Sequence, residues 1–98
     1  ELRIKVTKPL FASQTPIGLC RPDFVLEVRY KDYPTRKLIV EAFGMETDEY
    51  RAAKEKTLPR MQHLGPIFGI YPKDLTETNS EATGRRLQEW VVDQIRGG

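Results

Sequence analysis

The sequence predicts one mixed α/β domain, a four- to five-stranded sheet with helices packed on it in the order β-β-β-α-β-α. Three observations predict it. Residues 2–6 and 24–30 alternate apolar and polar side chains, the period of a half-buried strand. Residues 50–64 carry core-type side chains at spacings of three and four, the period of a helix with one packed face. A second capped, amphipathic segment closes the chain. With 98 residues, there is room for a single domain over residues 1–98 and for one modest core.

Each element has its own signal. Leu2-Arg-Ile-Lys-Val6 is the first strand, and residues 8–18, with Pro9, Pro16 and Gly18, read as a connection. Arg21 to Tyr30 is the strongest strand pattern: Phe24, Leu26, Val28 and Tyr30 share one face, Asp23, Val25, Glu27 and Arg29 the other. Residues 31–36 are polar and hold Pro34, so they turn the chain into a hairpin. Lys37 to Phe43 is a third strand, apolar enough to be central, with Glu41 as the exception. Thr47 caps a helix whose first turn holds Asp48 and Glu49. Its core-facing stripe is Tyr50, Ala53, Thr57, Met61 and Leu64; Pro59 is expected to kink or restart it, and Gly65-Pro66 ends it. Ile67 to Tyr71 is a short buried strand, parallel to the third because a crossover helix joins them. Thr78-Asn-Ser-Glu81 has the form of a capping box, opening a helix that buries Leu87, Trp90, Val91 and Ile95 and frays at Gly97-Gly98.

Composition narrows the function classes. Hydrophobic residues at 39% and charged residues at 31% exclude a disordered tail, and no apolar run is long enough for a membrane helix. The net charge of +2 does not announce a polyanion-binding protein by itself. Cys20 is the sole cysteine, which excludes an internal disulfide framework and a cysteine zinc site. Together with the lack of a signal-peptide pattern, it points to a reducing cytoplasm. The chain opens directly on a strand pattern, as a domain cut from a longer protein would.

Two acids stand where the strand pattern wants apolar residues: Asp23, directly after Pro22, and Glu41. An ionised carboxylate inside a sheet is costly unless paired. Two carboxylates converging from adjacent strands make an oxygen-rich pocket suited to Mg²⁺, which can activate water and stabilise the transition state of phosphate-ester hydrolysis.

Arg21-Pro-Asp-Phe-Val-Leu-Glu27, a hairpin, and then Leu38-Ile-Val-Glu-Ala-Phe-Gly44 resemble the PD-(D/E)xK nuclease superfamily. The nearest flavour is the small very-short-patch-repair-like endonucleases. The likeness covers roughly residues 20 to 71. It implies a restriction-endonuclease-like core and metal-dependent hydrolysis of DNA phosphodiesters. Asp23 and Glu41 would be the metal ligands, with the Ala42 carbonyl as a third and Mg²⁺ as cofactor. The family pattern departs at Phe43, which stands two residues after the glutamate where a lysine is usual. The family core also usually starts with a helix bearing a further acid, whereas this chain starts with a strand.

Helical spacing offers a replacement lysine. Lys54 is four residues after Tyr50 and seven before Met61, on the stripe that faces the sheet, whereas Arg51 and Lys56 point away. Lys54 would then stabilise charge on the attacked phosphate, with Tyr50 orienting groups beside it. Five basic residues against one acid between Tyr50 and Lys73 single out Arg51, Lys56 and Arg60 for the DNA backbone. Two plainer readings stay open. Glu41 with Lys54 is equally consistent with a buried structural ion pair, and Asp23 with a turn cap. The rival function is a non-catalytic DNA-binding or protein-interaction module on the same fold. Glu27 is either a further acid in the pocket or a solvated strand residue and reads as the second, His63 reads as a helix-end histidine ahead of a catalytic one, Cys20 as an inert packed thiol and Trp90 as core.

Overall fold

A computed structural model describes residues 2–44 and 47–97. Four strands form the main sheet in the order β1-β4-β5-β6: β1 is Leu2–Thr7, β4 Phe24–Tyr30, β5 Arg36–Ala42 and β6 Ile67–Ile70. β1, β4 and β5 run antiparallel to their neighbours, and β6 returns parallel to β5. The crossover between β5 and β6 is helix α1, Asp48–Gln62; helix α2, Ser80–Gly97, follows a short 3₁₀ turn at Pro72–Leu75. The expected mixed α/β fold is therefore present. Among the described residues no helix is long and apolar enough to cross a membrane.

The period-two alternation of the two central strands sorts the core into two layers. Leu26, Val28, Leu38 and Val40 pack under Val91 and Ile95 of α2, with Leu87 and Trp90 at the margin. Residues of opposite parity face α1: Ile39 is fully buried with Met61 and Cys20, flanked by Val25, Leu64 and Ile67. Asp23 and Glu41 have the parity of Val25 and Ile39, so both belong to the α1 side of the sheet.

Local chemistry accounts for the departures from expectation. The presumed connection contains a hairpin, β2 (Ser13–Thr15) with β3 (Gly18–Cys20). Thr15, buried, closes its turn: the Thr15 hydroxyl donates to the Gly18 carbonyl and accepts from the Ile17 N–H. α1 runs through Pro59 as one helix. Thr47 caps α1 as expected, accepting from the Tyr50 N–H at 3.3 Å. Ala53 lies outside the packed stripe and is exposed. α2 does not use the Thr78–Glu81 capping box. Thr76 instead accepts from the Asn79 and Ser80 N–H groups, and Glu81 pairs with Arg85 at 3.1 Å. Gly97 is still helical, and Gly98 lies outside the described residues.

One buried acid has no counterpart in the sequence reading. Asp74 accepts from the Tyr71 N–H at 2.9 Å and from Arg86 at 3.1 Å, while the Thr83 hydroxyl donates to its carbonyl. This network ties the segment after β6 to α2.

Candidate active site

The β4–β5 ladder ends at the pair Phe24–Val40. One residue further, two carboxylates take over the role of backbone carbonyls. The Asp23 N–H donates to Glu41 Oε1 at 2.9 Å, and the Ala42 N–H donates to Asp23 Oδ2 at 2.8 Å. Each acid thus satisfies a backbone donor that the fading ladder leaves open, which holds the two side chains side by side. Glu41 is 1% exposed, whereas the Asp23 side chain is 40% exposed and opens to solvent.

Lys54 reaches this pair from α1. Its ammonium forms an ion pair with Glu41 Oε2 and lies 3.8 Å from Asp23 Oδ2. Burial alone would lower the Lys54 pKa. The hydrogen bond and charge of Glu41, with the charges of Asp23 and Tyr50 added, outweigh that and raise it above its usual value of 10.5. The ammonium also lies 5.3 Å from the Phe43 ring centroid and 5.5 Å from that of Tyr50. The Tyr50 hydroxyl donates to the Ala42 carbonyl at 3.0 Å and accepts from the Gly44 N–H at 3.3 Å, fastening the end of β5 to α1.

Asp23, Glu41, Ala42, Tyr50 and Lys54 therefore meet at one point; strand and helix spacing anticipate the two acids, Tyr50 and Lys54, and the family resemblance anticipates Ala42. The cations named for DNA do not form one group. Arg51 lines a cleft beside Lys54. Lys56 is exposed. Arg60 lies toward the hairpin, where its guanidinium donates to the Leu19 carbonyl at 3.0 Å and packs against Gly18. Glu27 is exposed between Lys5 and Lys37 in the strand register, away from Asp23. His63 is the exposed C-cap of α1, and Trp90 packs tilted against Phe68 at 5.3 Å. Cys20 is buried; desolvation pushes its thiol pKa up against the opposing pull of Arg60, with Glu41 adding to the rise.

Two residues beside the site, Tyr71 and Gly69, were not singled out from sequence. Phe43 stacks on Tyr71 with centroids 5.0 Å apart, and Gly69 leaves room for it, since a Cβ there would stand 2.8 Å from the Phe43 ring. The signal available was the departure at Phe43 itself, an aromatic where the family pattern has a cation.

As for ligands, no cluster of three or more Asp, Glu, His or Cys side chains occurs among the described residues. The acid pair and the Ala42 carbonyl form an all-oxygen donor set, the hard chemistry that Mg²⁺ prefers.

A mixed sheet whose hairpin strands end in a paired Asp and Glu, followed by a crossover helix, defines a nuclease-like fold. The chain belongs to the restriction endonuclease-like C-terminal domain family, whose sequence profile matches residues 1–94. No curated protein and no solved structure matches the chain.

Proposed function

We propose that this domain hydrolyses phosphodiester bonds in DNA with a divalent cation, Mg²⁺ being the ion its donors suit. One observation carries the reading: Asp23, Glu41 and Lys54 converge at the open end of β5 although they come from three separate elements. The Asp23 and Glu41 carboxylates and the Ala42 carbonyl would hold the ion. When bound, such an ion lowers the pKa of water and neutralises phosphate charge. The rest is the work of side chains. Lys54 has a flexible stem, so its ammonium can turn from Glu41 to a phosphate oxygen and stabilise the charge that develops there. Tyr50 fixes the Ala42 carbonyl, and Arg51 and Lys56 supply positive charge for neighbouring phosphates. Arg60, tied to the hairpin, steadies the surface beside them. The Arg-Pro-Asp-Phe strand supports kinship with the very-short-patch-repair-like endonucleases in particular, and the lone cysteine supports a cytoplasmic setting.

The test is cleavage of single-stranded, double-stranded and mismatched DNA with Mg²⁺ or Mn²⁺, alongside calorimetric titration of the ions. Cleavage and ion binding that both vanish in Asp23→Ala are the expected result. Wild-type protein that cleaves none of the three substrates with either ion overturns the reading.

A second reading is favoured by the internal satisfaction of the acids. Both Glu41 oxygens and one Asp23 oxygen already have partners within the chain. On this reading the trio is a structural ion-pair cluster, and the domain is a DNA-binding or protein-interaction module. Its signature is a large loss of stability in Lys54→Met with no metal-dependent activity in the wild type.

A further inference from the structure

The cleft that shares Lys54 with the acid pair has an aromatic platform, Phe43 on Tyr71, that the hydrolysis reading does not use. Phe43, Tyr50, Arg51, Lys54, Leu58 and Tyr71 enclose about 220 Å³. The stacked rings of Phe43 and Tyr71 lie only 15° from parallel, and Tyr71 is 46% exposed. Aromatic surface left to water is unfavourable unless something covers it. Gly69 is the residue that permits the platform, because any side chain there meets the Phe43 ring. The rim is cationic: Arg51 and Lys54 line the cleft against the single acid Glu55, and the Lys73 ammonium lies 5.8 Å from the Tyr71 ring centroid.

Aromatic rings bordered by cations are the arrangement that stacks bases while holding their phosphates. In an intact duplex each base face is already covered by its neighbours, so only an unpaired base can reach such a floor. We propose that this cleft takes an unpaired nucleobase next to the phosphate at the acid pair. The substrate class is then DNA that is unpaired at the point of attack, with intact duplex disfavoured. The consequence for cleavage rests on the hydrolysis reading; the base binding itself does not.

Binding is therefore measured first, in the presence of EDTA, with a short single-stranded oligonucleotide carrying 2-aminopurine and with a blunt duplex of the same sequence. Wild type should quench the probe and bind the single strand at least about tenfold more tightly than the duplex. Tyr71→Ala should lose about tenfold or more in single-strand affinity and most of the quenching, as removal of one stacking ring does. Tyr71→Phe should retain both, and Gly69→Ala, which displaces Phe43, should weaken them. Circular dichroism confirms that each variant is folded. Equal affinity for single strand and duplex, or unchanged binding and quenching in Tyr71→Ala, overturns the proposal. Cleavage of the same oligonucleotides with Mg²⁺ is scored separately: absence of cleavage with stacking intact removes the hydrolysis reading alone, while equal cleavage of both substrates removes the base subsite alone.

Discussion

The Lys54 ammonium rests 5.3 Å from the centroid of the Phe43 ring, so the position that loses a lysine in the strand is met by a lysine from the helix. The two residues are 11 apart in sequence yet serve one spot. An aromatic face is attractive to an ammonium, and the acids on its other side fix its direction. If Lys54 performs the task the family pattern gives to residue 43, the task should be transferable. Lys54→Met should lower phosphodiester cleavage by about 10²–10³, the usual cost of one preorganised donor. Adding Phe43→Lys to Lys54→Met should recover at least about tenfold of that, read from initial rates below the melting temperature of each variant. A double variant as inactive as the single one would show that the lysine is needed for its place on the helix.

Glu41 is 1% exposed and depends on Lys54 for one of its oxygens. Lys54→Met keeps the packing of the alkyl stem but leaves a buried carboxylate short of its partner. If the pair is structural, a loss of roughly 3–5 kcal/mol is expected by denaturant unfolding; if Lys54 serves catalysis, the fold should stay nearly intact. Glu41→Gln on that background should recover about 1–2 kcal/mol, since the charge rather than the shape carries the penalty. Lys56→Met, on the exposed side, should change stability by less than about 0.5 kcal/mol. Equal stability of Lys54→Met and wild type would mean that water reaches Glu41.

The sequence made some of this visible and hid the rest for physical reasons. Strand β4 was legible because its buried face, Leu26 and Val28, alternates with the exposed Glu27 and Arg29, and β5 because both of its faces are buried over residues 38–41, so Leu38 and Ile39 both had to be apolar. The inward register of Lys54 followed from 3.6-residue geometry alone. The hydrogen bonds that the Glu41 and Asp23 carboxylates accept from the Asp23 and Ala42 N–H groups were not legible, because they depend on where the β4–β5 ladder stops. The partners of Arg60 and Arg86 were hidden by distance along the chain: Leu19 and Asp74 come into reach only after the sheet and helices assemble. The hairpin β2–β3 was masked by Pro16 and Gly18, which signal a turn without revealing that short strands flank it.

Two glycines should respond differently to the same added methyl group. At Gly65 the backbone φ is +158°, and a Cβ would stand 2.4 Å from the Lys37 carbonyl oxygen. Backbone cannot move aside there without pulling β5, so Gly65→Ala should lose about 2–3 kcal/mol. At Gly69 the obstacle is the edge of the Phe43 ring, which can turn. Gly69→Ala should therefore lose no more than about 1 kcal/mol while displacing that ring. Thermal melts of both variants check the contrast, and a larger loss at Gly69 would show the Phe43–Tyr71 stack to be a stability element.

The raised pKa of Lys54 makes a signed prediction in alkali. The folded state holds the proton more tightly than the unfolded chain, whose lysine titrates near 10.5. The stabilisation from this proton is therefore fully present below that value and disappears as pH rises through the higher, folded-state value. Other lysines and tyrosines titrate in the same range, so wild type must be compared with Lys54→Met across the series. The gap in melting temperature should be constant from neutral pH to about 10, then narrow as the folded Lys54 deprotonates. Glu41→Gln removes the hydrogen-bonded charge that is the main cause of the rise, so it should shift the onset of narrowing to lower pH. A gap that stays constant throughout the alkaline range would mean that the Lys54 proton is not held more tightly in the folded state.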